Sequence, residues 1–212
     1  MVRPAAQQMD EGFDGPGLDP RLGWWNPPVR AELGGSRLVV ASAAGTDFWQ
    51  RTHYGFRADN GHFLFAAWAG DFVLTTTVRF CPVHQYDQAG LMVRLSPACW
   101  LKTSVEFEPD RQSRLGAVVT NHGWSDWSTQ DVSQGLDAIA LRVRREGADY
   151  IVEHAMPADA ADPPAWSQMR MAHLTEDDGS GPVRCGLYAC SPKGAGLIAA
   201  FEHLSIRSGR IT

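Results

Sequence analysis

The stretch from Tyr86 to Asp110, YDQAGLMVRLSPACWLKTSVEFEPD, carries the densest set of side chains able to do chemistry in this chain. It reads as two strands joined by a turn. Strand parity places Arg94 on one side, and Trp100, Lys102, Ser104 and Glu106 on the matching side of the next strand, while Leu91, Val93, Leu101, Val105 and Phe107 face the other way. A cation, an indole and a carboxylate on one sheet face suit a binding groove better than a merely wetted surface. Glu106 and His53 are the most chemical pair. An imidazole titrates near neutrality, and a carboxyl beside aromatic rings in a groove is pushed toward its protonated form. Trp49, Trp124 and Trp127 are candidate stacking platforms for a sugar ring. Asp87, Gln88, Arg94, Lys102 and Asp126 are candidate partners for hydroxyl groups.

Each candidate also has a plainer account. Asp87 and Asp126 sit where turns favour aspartate, Lys102 and Glu106 can form a salt link along one strand face, and the indoles can serve packing. Glycosidase chemistry needs two carboxyls about 5–10 Å apart. Glu106 and Glu108 meet that spacing at about 7 Å along a strand, but EFEPD lacks the E-x-D-x-x-E pattern of strand-borne glucanase sites. No metal site is expected, because the seven histidines include no H-x-H, H-x3-H or HExxH spacing and TEDDGSG lacks the spacing of an EF-hand loop. No cofactor is expected either, since the chain has no phosphate-binding loop.

These residues must be positioned by strands. Runs such as HFLFAAW, DFVLTTTVRF, AGLMVRL, SRLGAVVTN, DAIALRVRRE and PVRCGLYACS alternate or are short β-type segments, separated by turn signals such as DNG, AGD, REGAD and SPKGAG. Eleven or more short strands without a sustained helical stripe predict an all-β sandwich or barrel. The 212 residues, 44% hydrophobic, suffice for one domain with a full core, assigned to 23–212. The Gly-, Pro- and acid-rich residues 1–22 are expected to be a flexible arm, and the Pro/Asp/Ala tip at 157–164 an exposed hairpin end. The net charge of −5 and the lack of a basic block argue against a nucleic-acid or membrane partner. The absence of an apolar leader predicts a cytoplasmic protein. Cys81, Cys99, Cys185 and Cys190 form no CxxC pair and are expected as reduced, mostly buried thiols.

Several longer motifs occur in a fixed order: TDFWQRTHYGF at 46–56, DNGHFLF at 59–65, YDQAGLMVR at 86–94, WLKTSVEFE at 100–108, VVTNHGWSDWS at 118–128 and CSPKGAG at 190–196. Together they resemble a family of small cytoplasmic proteins of unassigned biochemical function, named after a regulation-of-enolase protein. The resemblance spans roughly residues 24–207. It implies a concanavalin A-like fold of the lectin/glucanase superfamily, a two-sheet jelly roll with a concave face. Carried over singly, the family's motif residues are Trp49, His53, Asp87, Gln88, Lys102, Glu106, Asp126, Trp127 and Ser128, with Cys190, Ser191 and Pro192 nearby. The resulting expectation is a binding protein for a carbohydrate or sugar-derived metabolite. The alternatives are a carbohydrate-active enzyme using Glu106 and His53, or a regulatory module that binds another protein.

Overall fold

The computed structural model describes residues 7–157 and 164–209. The expected hairpin tip therefore falls mainly outside the described residues. The architecture is an all-β jelly-roll sandwich of two large antiparallel sheets, with no helix among the described residues.

The seven-stranded sheet runs, in spatial order, β12 (Trp124–Val132), β11 (Ser113–Asn121), β10 (Cys99–Glu106), β9 (Gln88–Ser96), β16 (Pro182–Cys190), β7 (His62–Ala69) and β2 (Gly23–Trp25). In the nine-stranded sheet, β15 (Ser167–His173), β14 (Asp149–Ala155), β13 (Ala138–Glu146) and β8 (Phe72–Cys81) lead to β17 (Ile198–Phe201), β4 (Leu38–Ala41) and β3 (Arg30–Leu33). There β18 (Leu204–Ser208) also pairs with β8, and β1 (Gln8–Glu11) pairs with β18. A small hairpin of β5 (Phe48–Gln50) and β6 (Arg57–Asp59) completes the set.

The main core lies between the sheets. Leu91, Val93, Leu101, Val105 and Leu115 from one side meet Leu74, Val78, Ile139, Leu141 and Val143 from the other, as alternating strands require. The parity expected for β10 holds, with one correction. The strand ends at Glu106, so Phe107 is only half-buried and Glu108 leaves the site face to be held by Gln85 and Arg111.

The two sheets differ in how their outer faces are treated. On β8, buried and half-buried residues alternate, so its outer face is open. On β9 and β10 nearly every residue is buried, because a second apolar layer covers the outer face of the seven-stranded sheet. That layer contains Phe48, Trp49, Phe63, Met92, Trp100, Val118, Tyr188 and Cys190.

The arm expected at 1–22 is instead part of the fold over its described residues. β1 pairs with β18, and Met9 and Phe13 are buried in the main core. The Glu11 carboxylate accepts hydrogen bonds from the amides of Phe13 and Asp19, which pins the turn that follows. A Gly/Pro-rich composition concealed a short strand whose alternate side chains, Met9 and Glu11, face inward. No cysteine is bonded to another; Cys81 is exposed and Cys99, Cys185 and Cys190 are buried.

Candidate functional site

The outer face of the seven-stranded sheet carries a pocket of about 170 Å³. Its floor comes from β10, which presents Lys102 and Glu106, and from the neighbouring strands through Val118 and Trp127. The β5–β6 hairpin folds over one side and supplies Asp47, Trp49, Tyr54 and Phe56. Tyr86 and Lys193, from two loops, close the remaining side.

Local sequence explains how the hairpin reaches this place. Arg51, His53 and Gly55 all have positive φ, and the amide of Arg51 bonds the Phe56 carbonyl at 2.8 Å. This tight turn throws Tyr54 and Phe56 onto one side, where their rings pack with Trp49 at centroid distances of 5.5 and 6.5 Å. Trp49 is itself fixed by its indole N–H, which donates to the Thr52 carbonyl at 3.1 Å. Trp127 meets Trp49 nearly edge-on. At the base of the hairpin Gly61 permits close approach, since a methyl there would lie 2.3 Å from the Phe48 ring and 2.6 Å from Cys190 Sγ.

The charged floor is organised around Lys102. Its ammonium is buried and donates to Asp47 Oδ1 at 3.0 Å, with the rings of Trp100 and Tyr188 within 6 Å. Glu106 accepts a hydrogen bond from Gln88 Nε2 at 3.1 Å. Gln88 is in turn oriented by the Tyr188 hydroxyl, which lies 3.1 Å from Gln88 Oε1 and 2.7 Å from Ser104 Oγ. The Glu106 carboxyl opens onto the pocket, yet the protein packed around it removes most of its hydration. That burial pushes its pKa up to about 8; Lys102 and the Gln88 bond pull it down, and Asp47 and Glu108 add to the rise. Burial also drives the Tyr188 phenol well above its ordinary value, so it stays protonated as a donor.

The structure gathers some of the expected site residues and disperses others. Glu106, Lys102, Trp49 and Trp127 line the pocket, and Gln88 supports it from below. His53 does not line it; its ring lies exposed against Tyr54, so the expected His53–Glu106 pair does not form. Asp126 and Ser128 flank Trp127 on a strand and therefore point away from it: Asp126 is exposed and paired with Arg170 at 3.1 Å, and Ser128 lies beside Ala117 of the core side. Arg94 is fully buried, forked onto Asp59 at 2.7 and 2.8 Å and packed over the Trp25 ring. Asp87 accepts the amides of Val83 and His84 and fixes a turn. Trp100 is not exposed in a groove but wholly buried beneath it. Trp124 is exposed outside the pocket, under the Arg51 guanidinium.

Asp47, Tyr54, Phe56, Tyr86 and Lys193 were missed as site residues. All five lie within motifs noted in the sequence, TDFWQRTHYGF, YDQAGLMVR and CSPKGAG. A signal existed for Asp47: a buried lysine on a strand needs an acid partner.

Fold and site together define a two-sheet jelly-roll β-sandwich with an aromatic-walled, charge-floored pocket on the outer face of one sheet. The chain belongs to the family described as "Protein of unknown function (DUF1349)", which matches residues 24–209. It is 32% identical over 183 residues to "Regulation of enolase protein 1" of Saccharomyces cerevisiae, covering 86% of this chain and 87% of that protein. A solved structure of a functionally unknown protein from Saccharomyces cerevisiae superposes with a TM-score of 0.79 at 30% identity, covering 91% of this chain and 98% of that one. The Bacteroides ovatus Xyloglucan PUL GH43B structure shares the fold at a TM-score of 0.71 and 18% identity; 99% of this chain matches 40% of that chain. No helix among the described residues is long and apolar enough to cross a membrane.

Proposed function

We propose that this protein is a cytosolic binding protein for a single sugar or sugar-derived metabolite, held in the pocket of the seven-stranded sheet. The observation that carries this reading is the junction of three aromatic side chains, Trp49, Tyr54 and Trp127, with the polar triad Asp47, Lys102 and Glu106. Sugar rings offer C–H faces for indoles and phenols and hydroxyls for charged groups fixed in place. The pocket lies below the roughly 300–1,000 Å³ of drug-sized sites, which favours one ring over a chain. The buried free thiols suit a reducing compartment.

A thermal-shift screen of monosaccharides, followed by calorimetry, tests the reading. Trp127→Ala should weaken a hit by about 1–2 kcal/mol through the lost stacking surface without changing the fold. Hits that bind Trp127→Ala and wild type equally well would place the ligand elsewhere.

A second reading, an enzyme, draws on a different observation: two carboxyls, Asp47 and Glu106, flank one lysine. Glu106 is protonated near neutral pH, as a general acid must be, while Asp47 is ion-paired. In a hydrolysis, Glu106 would donate its proton to the leaving oxygen as the acetal C–O bond breaks. Asp47 would take a proton from the water that forms the new C–O bond. Under this reading Glu106→Gln abolishes turnover, by a factor of about 100 or more, while binding persists.

A further inference from the structure

Charge bookkeeping around the pocket shows one cation without an acid of its own. Lys102 is matched by Asp47, and Arg114, which lines the recess beside Glu106, is matched by Asp131. Glu108 is occupied by Gln85 and Arg111. Lys193 is different. It is exposed at the rim, on the turn that follows β16, and forms no ion pair among the described residues. Its ammonium rests 5.5 Å from the centre of the Tyr86 ring, inside the pocket wall.

We propose that the pocket selects an acidic sugar, one ring bearing a single carboxylate or phosphate, and that Lys193 is the residue that selects the anion. The inference rests on the sugar-binding reading given above and adds the charge class to it.

Three considerations support it. First, the protein as a whole carries −5, which repels anions at long range, so selection of one falls to a cation in the pocket wall, and Lys193 is the lining cation with no ion pair among the described residues. Second, a lysine on a flexible four-carbon stem is a point charge that can swing from a ring face to an anionic oxygen. Third, the groups facing the pocket leave a positive balance. Asp47 and Lys102 cancel as an ion pair, burial holds the Tyr86 phenol in its neutral form, and Glu106 holds its proton up to about pH 8. A cationic ligand would meet Lys193 with nothing to neutralise it. A neutral sugar would leave Lys193 unused.

The test is calorimetry on the full chain at pH 7 and low salt with three matched sets. Glucose, galactose and mannose are each compared with the corresponding uronate and 6-phosphate. At least one uronate or 6-phosphate should bind about tenfold or more tightly than its neutral parent, the scale of one charge-assisted hydrogen bond. The uronate and phosphate arms tell which acid is used. Lys193→Ala should bring that preference to within about threefold, and Lys193→Arg should retain most of it. The preference should decline as pH rises through about 8, where Glu106 gains its negative charge, and Glu106→Gln should remove the decline. Neutral sugars binding as well as their acids would overturn this inference and leave the sugar pocket standing. A preference that survives Lys193→Ala would overturn the role of Lys193. No binding in any set would overturn both.

Discussion

Glu106 is the residue whose environment departs furthest from that of a surface carboxylate in the pocket. Folded, it keeps its proton up to about pH 8; unfolded, it ionises near 4.5. Between those values the native state binds more protons than the unfolded one. The contribution is therefore full below about pH 4.5 and lost as pH rises through 8. Glu106→Gln, which cannot ionise, should match wild type near pH 4.5 and exceed it near pH 8.5 by about 3–6 °C in Tm. Thermal unfolding at the two pH values measures this, and a difference independent of pH would show that Glu106 ionises normally. The Lys102–Asp47 pair gives a second expectation. Asp47→Asn leaves an ammonium buried without its counter-charge and should cost about 3–5 kcal/mol. Adding Lys102→Met to that variant should restore part of the loss, which urea titration of the single and double variants would show as non-additivity.

At the scale of elements, the register of β9 and β10 was legible in the sequence. Arg94 lies opposite Trp100, and Lys102, Ser104 and Glu106 follow on one face, because a period of two leaves little freedom once one face is apolar. What lies on that face was not legible. Trp100 is buried because Phe48, from the distant β5 segment, packs on it with ring centroids 6.2 Å apart within a shared apolar layer, and no local pattern encodes that docking. The SDWS motif misled in a different way: neighbours on a strand face opposite sides, so Trp127 enters the pocket while Asp126 and Ser128 leave it. The N-terminal strand was hidden by the glycines and prolines around it. Deleting residues 1–14 removes Met9 and Phe13 from the core and should cost about 3–6 kcal/mol, read as a lower urea midpoint. A deletion with an unchanged midpoint would mean that β1 adds nothing. Gly61→Ala should lift the β5–β6 hairpin off Phe63 and Tyr188, abolishing ligand binding while the two large sheets still unfold cooperatively.

For the molecule as a whole, the thiols offer a simple check of packing. One sulfhydryl, that of Cys81, should react rapidly in the native protein and four in denaturant; fast native reaction of more than one would show the sandwich to be open. A larger consequence follows from the double covering of the seven-stranded sheet. β10 is paired on both edges and buried on both faces, whereas the hairpin that carries Tyr54 and Phe56 is two short strands with exposed rings. The pocket thus joins one jaw buried on both faces to one whose tip is exposed and should open on its own. In hydrogen exchange, amides of β10 should exchange only through global unfolding and those of residues 50–57 through small local openings. The rate at which a guest leaves is then a property of the hairpin, and the identity of the guest a property of the sheet floor and of Lys193 at its rim. Changes at Arg51 or Gly55 should alter how long a ligand stays far more than which ligand is chosen.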